Sequence, residues 1–463
     1  MYVSFNNYSC VKDWENDDPI GALCRRIAFA VCVDPTGKSE EDLEVLYKDK
    51  FAHLEISMKV ILEWLGNTPS ILLIDELNVL KTAAGHEGFA QFIKENFLKS
   101  SNRMLVFSSH VVGVGEKMTA YMDPGTDRGV TICELPLISS VQSINDALDI
   151  QINPRKALYC GSIPSMIYLY SQTMLPSNKR NEAIGSCLND AENPINDTMI
   201  LRMLEGFITG EINSVPKILL QFMNSVKSID DRFGRISKIR WIPYHMLPIL
   251  EKFIRDSRTK ISPNLKLMLN NTLMKYFDSF FFYPKEYSGD AWESLFMIVL
   301  LIRCSTGMFD KTLMPYFEHY DTQPTLSLNK LFNEGFSLGE CKTVPDLLKG
   351  IRPPDHFPHI AIYHPEYSQF KAVDVIVIVY KSATYRREYY YQLKESDNIP
   401  ATPENMNTYS PFYVVRGKAA QKDTYQLRGW TVVSESNIEA FFGESGKHWT
   451  PNEWRKLIAG TKT

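Results

Sequence analysis

Two apolar runs in the last third of the chain place an acid, an amide and a lysine at spacings that could form one site. Asp374 lies in the run 371–380, and Gln392 and Lys394 lie at the end of the next run, which begins at residue 387. If both runs are strands, alternation puts Gln392 and Lys394 on one face, and pairing brings Asp374 beside them. An acid and a carbonyl oxygen can hold Mg²⁺ while the ammonium orients or deprotonates a water for attack on a phosphodiester. The pattern therefore predicts a metal-dependent nuclease site.

A fourth candidate for this site, Glu293, lies in the predicted helix 290–304. It is a carboxylate in an otherwise apolar stretch, AWESLFMIVLLI, and burial of a carboxylate is costly unless it meets a metal ion or a cation. Each of the four residues alone has an ordinary interpretation: a Glu near a helix N-terminus suits the helix dipole, and an edge-strand Asp or a surface Gln-x-Lys carries no function. Their order along the chain favours the nuclease interpretation.

The N-terminal third holds a second candidate site, in the segment ILLIDELNVL at 71–80. The pattern predicts an apolar strand that ends there in Asp75 and Glu76. In P-loop nucleotidases an acid at this strand end reaches the Mg²⁺ shell, and in one branch the following Glu polarises the attacking water. Ser109, after the predicted strand 103–108, would be a γ-phosphate sensor. A strand that simply ends in acidic turn residues is the alternative.

The phosphate-binding loop that such a site needs is not found in the sequence. The only Gly-Lys-Ser triplet is Gly37 to Ser39, and Cys32 stands where the eight-residue motif requires glycine. We interpret 35–39 as a helix-capping turn. ATP binding would then require a Walker A loop upstream of Met1.

Composition narrows the class of protein. The chain has 463 residues, 44% hydrophobic and 22% charged, with a formal net charge of −4, which fits several folded domains without a global basic field. Its longest unbroken apolar run, Leu295 to Ile302, is too short to span a bilayer, and the eight cysteines are scattered. We expect an intracellular protein that does not enter membranes.

The predicted fold class is α/β in three regions. Residues 1–140 are predicted to form a parallel-sheet, P-loop-NTPase-like domain that lacks Walker A. Residues 141–278 are predicted to form a helical region, and residues 279–463 a restriction-endonuclease-like α/β domain. The locally basic stretch 224–245 is open to two interpretations, a phosphate-contacting face or an ordinary solvated surface. Pro353, Pro354 and Pro358 interrupt the segment that carries His356, His359 and His364, so the three cannot share a helical face, which argues against a shared metal site.

The order of motifs resembles one known class of proteins. MYVSFNN, CRRIAFA, ILLIDELN, VFSSH, CGSIPSMIYLY, GDAWESL, DVIVIV, YYQLKES and GWTVVSESNIEAFFG together resemble the Crinkler and retrotransposon hot spot proteins, which join an AAA- or STAND-like P-loop ATPase to a PD-(D/E)xK nuclease. The similarity spans nearly the whole chain. It implies a Walker B role for Asp75 and Glu76, a sensor role for Ser109, and Mg²⁺-dependent action on nucleic acid, with DNA favoured.

The resemblance also matches Glu293, Asp374, Gln392 and Lys394 to the nuclease set, and it implies a nuclear location, with the cytoplasm as the alternative. Two features depart from the family pattern: the Walker A loop is absent, and Gln392 replaces the acid of (D/E)xK, as in Mrr-type nucleases. Two alternatives to a nuclease therefore stay open. One is a catalytically inactive scaffold that binds nucleic acid, protein partners or a second copy of itself, and the other is a STAND-like regulatory switch.

Overall fold

The computed structural model is a mixed helical and sheet structure. It describes residues 1–4, 15, 17–34, 36–75, 91–99, 101–107, 140–171, 178–227, 236–282, 289–309, 313, 325–330, 351, 353–364, 374–394, 412–415, 431–433 and 435–450. The chain forms two compact units: Met1–Glu134 with Lys227–Ile236, and Leu135–Val226 with Ser237–Thr463.

The first unit contains a three-stranded sheet and the helices packed on it. Its strands are β1 (Tyr2–Ser4), β2 (Ser70–Asp75) and β3 (Arg103–Phe107), and its helices are α1 (Pro19–Cys32), α2 (Glu40–Lys50) and α3 (Met58–Leu65), with a further helical turn at 91–96. The sheet order is β1-β2-β3, and both pairings are parallel. The predicted parallel arrangement of these strands is confirmed. The predicted fourth strand, 130–135, lies outside the described residues.

Local sequence signals explain the helix boundaries in this unit. Ser39 caps α2 through a capping box, in which Ser39 Oγ accepts from Asp42 N and Asp42 Oδ2 accepts from Ser39 N, both at 3.1 Å. The predicted capping role of the Gly-Lys-Ser triplet is thus confirmed. Ser57 caps a separate helix, α3, by accepting from Val60 N.

A buried ion pair fixes α1 within the unit. Arg26 Nε donates to Glu15 Oε1 at 2.9 Å, and Arg26 Nη2 donates to Glu15 Oε2 at 2.7 Å. The hydroxyl of Tyr47 in α2 also donates to Glu15 Oε1, at 2.7 Å. The Glu15 side chain is fully buried. Both formal charges are therefore compensated by contacts inside the protein.

The second unit is built from helices and one large sheet that share a hydrophobic core. The helices are α4 (Val141–Leu148), α5 (Pro154–Tyr159), α6 (Pro164–Ser171), α7 (Asn178–Asn189), α8 (Asp197–Thr209), α9 (Pro243–Arg255), α10 (Pro263–Met268), α11 (Met274–Phe282), α12 (Gly289–Thr306) and α13 (Glu435–Gly446). A π-helical turn, Leu269–Leu273, joins α10 to α11, and short 3-10 helices cover Ile212–Ser214, Lys217–Phe222 and Lys447–Trp449. One continuous core runs through this unit from Val141 to Trp449. The predicted regions 141–278 and 279–463 both contribute to it.

The expectation of a purely helical region over 141–278 is wrong in one segment. Strands β4 (Met223–Lys227) and β5 (Ile236–Trp241) form a two-stranded sheet there. Ile239 and Trp241 are fully buried and alternate with basic residues, and that period-2 pattern was masked by the charge of the segment. Tertiary hydrogen bonds hold the strand, since Trp241 N donates to Ser445 Oγ at 3.1 Å.

The C-terminal sheet has six strands. They are β6 (Thr325–Lys330), β7 (His359–His364), β8 (Val375–Tyr380), β9 (Arg386–Lys394), β10 (Phe412–Val415) and β11 (Thr431–Val433), in the spatial order β11-β10-β9-β8-β7-β6. The pairings of β8 with β7 and β9 are antiparallel, and the outer pairings are parallel. Strands β6, β7 and β10 are absent from the sequence prediction. Helix α12, predicted over 290–304, packs on one face, where the Phe296 and Tyr391 rings lie 5.3 Å apart.

Candidate nuclease site

Asp374 and Gln392 are in direct contact at one end of the C-terminal sheet. Gln392 Nε2 donates to Asp374 Oδ2 at 2.6 Å, and Leu393 N donates to the same oxygen at 2.6 Å. The backbone of Asp374 is fixed as well, because its N–H donates to Tyr391 O at 2.9 Å. These contacts place the acid at the start of β8 against the end of β9.

The register of the β8–β9 hairpin produces this contact. Both strands are rich in β-branched and aromatic residues, which favours extended backbone. Tyr380 pairs with Arg386 across a short turn, and Val375 pairs with Tyr391 at the other end. The next step along the two strands puts Asp374 beside Gln392. A register shift by one residue would move Gln392 to the opposite face.

The Gln392 side chain is buried and only half satisfied. The residue is 2% exposed, and its carbonyl oxygen, Oε1, accepts no hydrogen bond within the described part of the chain. A buried carbonyl oxygen without a donor carries a desolvation penalty. The pair thus offers a carboxylate and a carbonyl oxygen, which are the ligand types that Mg²⁺ takes in proteins.

Lys394, the proposed water-orienting residue, is the last residue of β9 and pairs in register with Val415 of β10. Along β9 it is two positions beyond Gln392, so both belong to the same face of the strand. Tyr391 and Leu393, with the opposite parity, contribute to the core that includes α12. Asp374, Gln392 and Lys394 therefore have strand positions on the face away from α12.

Glu293 makes a contact that the sequence analysis did not anticipate. Its Oε2 lies 3.6 Å from Nε2 of His364, the last residue of β7, and both side chains are about three-quarters buried. His364 Nδ1 is 3.1 Å from the hydroxyl of Tyr276 in α11. Burial, and secondarily the Glu293 carboxylate, raise the pKa of Tyr276 above its ordinary value, so the phenol keeps its proton, and the tautomer of His364 decides which of the two groups donates.

His364 thus orients Glu293 from β7. Strand β7 is the neighbour of β8, which begins directly after Asp374. In register, Tyr363 pairs with Ile376, so β7 ends where β8 begins. Ile360 and Ile362 share the alternation of His364 and face the core with α12. The structure therefore brings Asp374 and Gln392 together on one face and puts Glu293 with His364 on the α12 face, at the same end of the sheet.

The candidate nucleotide site is only partly described. Asp75 is the last residue of the central strand, β2, and pairs in register with Ser4 of β1. Because the three strands are parallel, their carboxyl ends lie at one edge of the sheet, where ligand-binding residues of α/β proteins gather. Glu76 and Ser109 lie outside the described residues.

Among the described residues there is neither a metal-binding cluster nor a helix that could span a membrane. Within the ranges that the structure describes, no three His, Cys, Asp or Glu side chains come together as a metal-binding group. Among the helices in those ranges, none combines the length and the apolar character needed to cross a bilayer. A cation at the Asp374–Gln392 pair would therefore have few His, Cys, Asp or Glu ligands from the residues that the structure describes.

Comparison with protein-family models, with curated proteins and with solved structures finds no match to this chain.

Proposed function

We propose that the chain is a metal-dependent nuclease that hydrolyses phosphodiester bonds, with DNA as the favoured substrate, attached to a degenerate ATPase module. The observation that carries this proposal is the contact of Asp374 with Gln392, whose buried carbonyl oxygen accepts no hydrogen bond from the residues that the structure describes. A carboxylate and an amide carbonyl oxygen are ligand types that Mg²⁺ takes in proteins.

Each residue has a defined role in this proposal. Asp374 and Gln392 would hold Mg²⁺. Glu293 is the further ligand that the motif order implies, but it contacts His364 on the α12 face of the sheet and is not beside this pair. When bound, Mg²⁺ would polarise the phosphoryl group and stabilise the charge that develops on it. Lys394, on the face shared with Gln392, would orient or deprotonate the attacking water.

The attached module is proposed to be a P-loop-like unit in which Asp75 and Glu76 form the Walker B pair and Ser109 the sensor. Asp75 at the carboxyl end of the central parallel strand supports this role. ATP hydrolysis by this unit requires a Walker A loop upstream. The proposed location is the nucleus, with the cytoplasm as the alternative.

One observation favours a different function, a catalytically inactive scaffold. Asp374 Oδ2 already accepts two hydrogen bonds from protein groups, and Glu293 already has His364 as its partner. Contacts of this kind also stabilise a fold without catalysis. Such a scaffold would bind nucleic acid, a protein partner or a second copy of the chain; a STAND-like switch is the corresponding alternative for the first unit.

The deciding experiment measures cleavage of plasmid and single-stranded DNA by the purified chain in Mg²⁺, in Mn²⁺ and in EDTA. We expect cleavage in either metal that is lost in EDTA and in Asp374→Ala. A folded chain that cuts under none of these conditions would favour the scaffold.

A further inference from the structure

We infer that the tip of the β8–β9 hairpin is a stacking platform for single-stranded DNA, on which the ring of Tyr385 stacks against an unpaired base. This inference rests on the nucleic-acid partner of the proposed function and names a contact surface away from the Asp374–Gln392 pair. Three features of the tip support it: an exposed aromatic ring, a turn fixed by hydrogen bonds, and basic side chains in contact with the ring.

Tyr385 differs from the tyrosines that follow it in β9. Tyr389, Tyr390 and Tyr391 are buried, whereas Tyr385 keeps 43% of its surface exposed. Packing in the core accounts for the three later tyrosines but not for Tyr385. A single exposed aromatic ring is ordinary, so the surroundings of the ring decide what it can bind.

Hydrogen bonds within the turn fix the position of Tyr385. Lys381 N donates to Tyr385 O at 3.0 Å, and Tyr385 N donates to Ser382 O at 3.3 Å and to Ser382 Oγ at 3.2 Å. The Tyr385 hydroxyl accepts from Arg387 Nε at 2.9 Å. The backbone and the far end of the side chain are both held before any ligand binds. A ring that is already ordered loses little conformational entropy when a ligand binds to it.

Two basic side chains contact the same ring. Lys381 Nζ lies 5.7 Å from the ring centroid, within the range of a cation–π interaction, and Arg387 holds the hydroxyl. The segment KSATYRRE, 381–388, has three basic residues and one acid, and that acid, Glu388, is paired with Arg386 at 2.9 Å. Lys381 and Arg387 also interact with other groups of the protein, so the ring is the main contact and the positive charge is secondary.

An exposed ring beside cations fits an unpaired nucleic-acid strand. Proteins that bind such strands combine aromatic side chains, on which bases stack, with positive charge that follows the phosphates. In a duplex the bases stack on one another, and only an unpaired base can be placed on an aromatic side chain. Single-stranded DNA is therefore the ligand that suits the hairpin tip.

The tip is well separated from the candidate nuclease site. Strand β8 places six residues, Val375–Tyr380, between Asp374 and the turn, and a strand rises by about 3.3 Å per residue, which gives a separation of roughly 20 Å. DNA at the tip and a phosphate at Asp374 therefore do not compete for the same groups. Loss of the Tyr385 ring should weaken binding of a single strand and leave the cleavage rate at saturating DNA unchanged.

The experiment measures binding of a short fluorescein-labelled oligothymidylate to the full chain by fluorescence anisotropy, in EDTA and at constant salt, since salt alone changes DNA binding. Tyr385→Ala should weaken binding at least about fivefold, the lower end of the range for loss of one base–aromatic stack. Tyr385→Phe keeps the ring and should retain most of the affinity. Tyr168→Ala is the matched control, because Tyr168 of α6 is 44% exposed and belongs to the same unit.

Two further ligands separate stacking from charge. A blunt duplex and a single strand with abasic sites both keep the phosphates but present no unpaired base to the ring. Tyr385→Ala should bind each of them about as tightly as the wild-type chain does. An equal loss of affinity for the abasic strand and for oligothymidylate would overturn the inference.

The remaining outcomes separate this inference from the proposed function. Unchanged oligothymidylate binding by Tyr385→Ala, an equal loss in Tyr168→Ala, or no binding by the wild-type chain would each overturn the stacking platform. The nuclease proposal would still stand if plasmid is cut in Mg²⁺ and not in EDTA. Conversely, binding that depends on Tyr385 without any cleavage would support the platform and favour the scaffold over the nuclease.

Discussion

Gln392 donates a 2.6 Å hydrogen bond to Asp374 across the β8–β9 hairpin, although the two residues are eighteen positions apart in sequence. The contact joins the start of one strand to the end of the next, and Leu393 N adds a second donor to the same carboxylate oxygen. The carboxylate at the start of β8 therefore meets an amide and a backbone N–H at the end of β9.

Substitution of Asp374 or Lys394 tests the catalytic assignment. Asp374→Ala and Lys394→Ala should each lower Mg²⁺-dependent cleavage at least about 100-fold, the size of effect seen when a key electrostatic group is removed from an active site. Asp374→Ala also leaves the Gln392 donor without its acceptor, at a cost of about 1–3 kcal/mol, so circular dichroism must show that the variant is folded. Asp290→Ala, an exposed acid in the first turn of α12, is the matched control. Cleavage at the parent rate by either test variant would reject the assignment.

Gly210 is predicted to be irreplaceable at the C-terminus of α8. Its φ is +70°, and an added Cβ would lie 2.7 Å from Glu444 Cγ and 2.8 Å from Ile239 O. Gly210→Ala should lower the free energy of unfolding by about 2 kcal/mol or more, since a left-handed backbone alone costs about 1–2 kcal/mol for other residues and the clash adds to it. Urea denaturation measures the change.

Gly307→Ala is the control for this prediction. Gly307 has a similar φ of +72°, but no described atom lies within 4 Å of its Cβ position. Gly307→Ala should therefore lower the free energy of unfolding only by the cost of the left-handed backbone. Equal losses in the two variants would mean that the contact of Gly210 with Glu444 is unimportant.

Elements with strong local signals could be predicted from sequence. The run VIVIVY and the hairpin after it determine β8 and β9, so the proximity of Asp374 and Gln392 follows from strand alternation. The parallel order of β1, β2 and β3 likewise follows from short apolar runs separated by helical segments.

Contacts between distant segments could not be predicted. Tyr276 and His364 are 88 positions apart, and no local pattern links them. A metal role for His364 was not favoured because prolines interrupt the segment before His359. His364 nevertheless ends the apolar alternation HIAIYH of β7, a signal that places it on the face of Ile360 and Ile362. Strand β5 was missed because its basic residues hid the buried pair Ile239 and Trp241.

The Arg26–Glu15 pair is predicted to be essential to the first unit. Arg26→Ala would leave a fully buried carboxylate without its cation, and breaking such a pair costs about 3–5 kcal/mol. Hydrogen exchange of α1 amides should therefore accelerate strongly. Lys59→Ala removes an exposed ion pair in which Lys59 Nζ lies 3.8 Å from Glu63 Oε1. This variant should change the free energy of unfolding by less than about 0.5 kcal/mol. Similar exchange in the two variants would contradict the prediction.

His245 is predicted to make the second unit sensitive to acid. The residue is 7% exposed, and burial, with the neighbouring Arg180 charge as a smaller cause, lowers its pKa from 6.5 to about 4. Between these values the unfolded chain binds the proton and the folded chain does not, so stability falls as pH falls. The full contribution is present above pH 6.5, and its loss down to pH 4 amounts to about 3 kcal/mol.

The variant His245→Gln lacks this titration. Its deficit in unfolding free energy relative to wild type should be largest at pH 7 and should narrow by about 3 kcal/mol toward pH 4, as measured by urea denaturation across that range. His53→Gln, at an exposed position, should show no such convergence because its environment changes little on unfolding. A constant difference between wild type and His245→Gln at every pH would show that the imidazole is not held neutral by the fold.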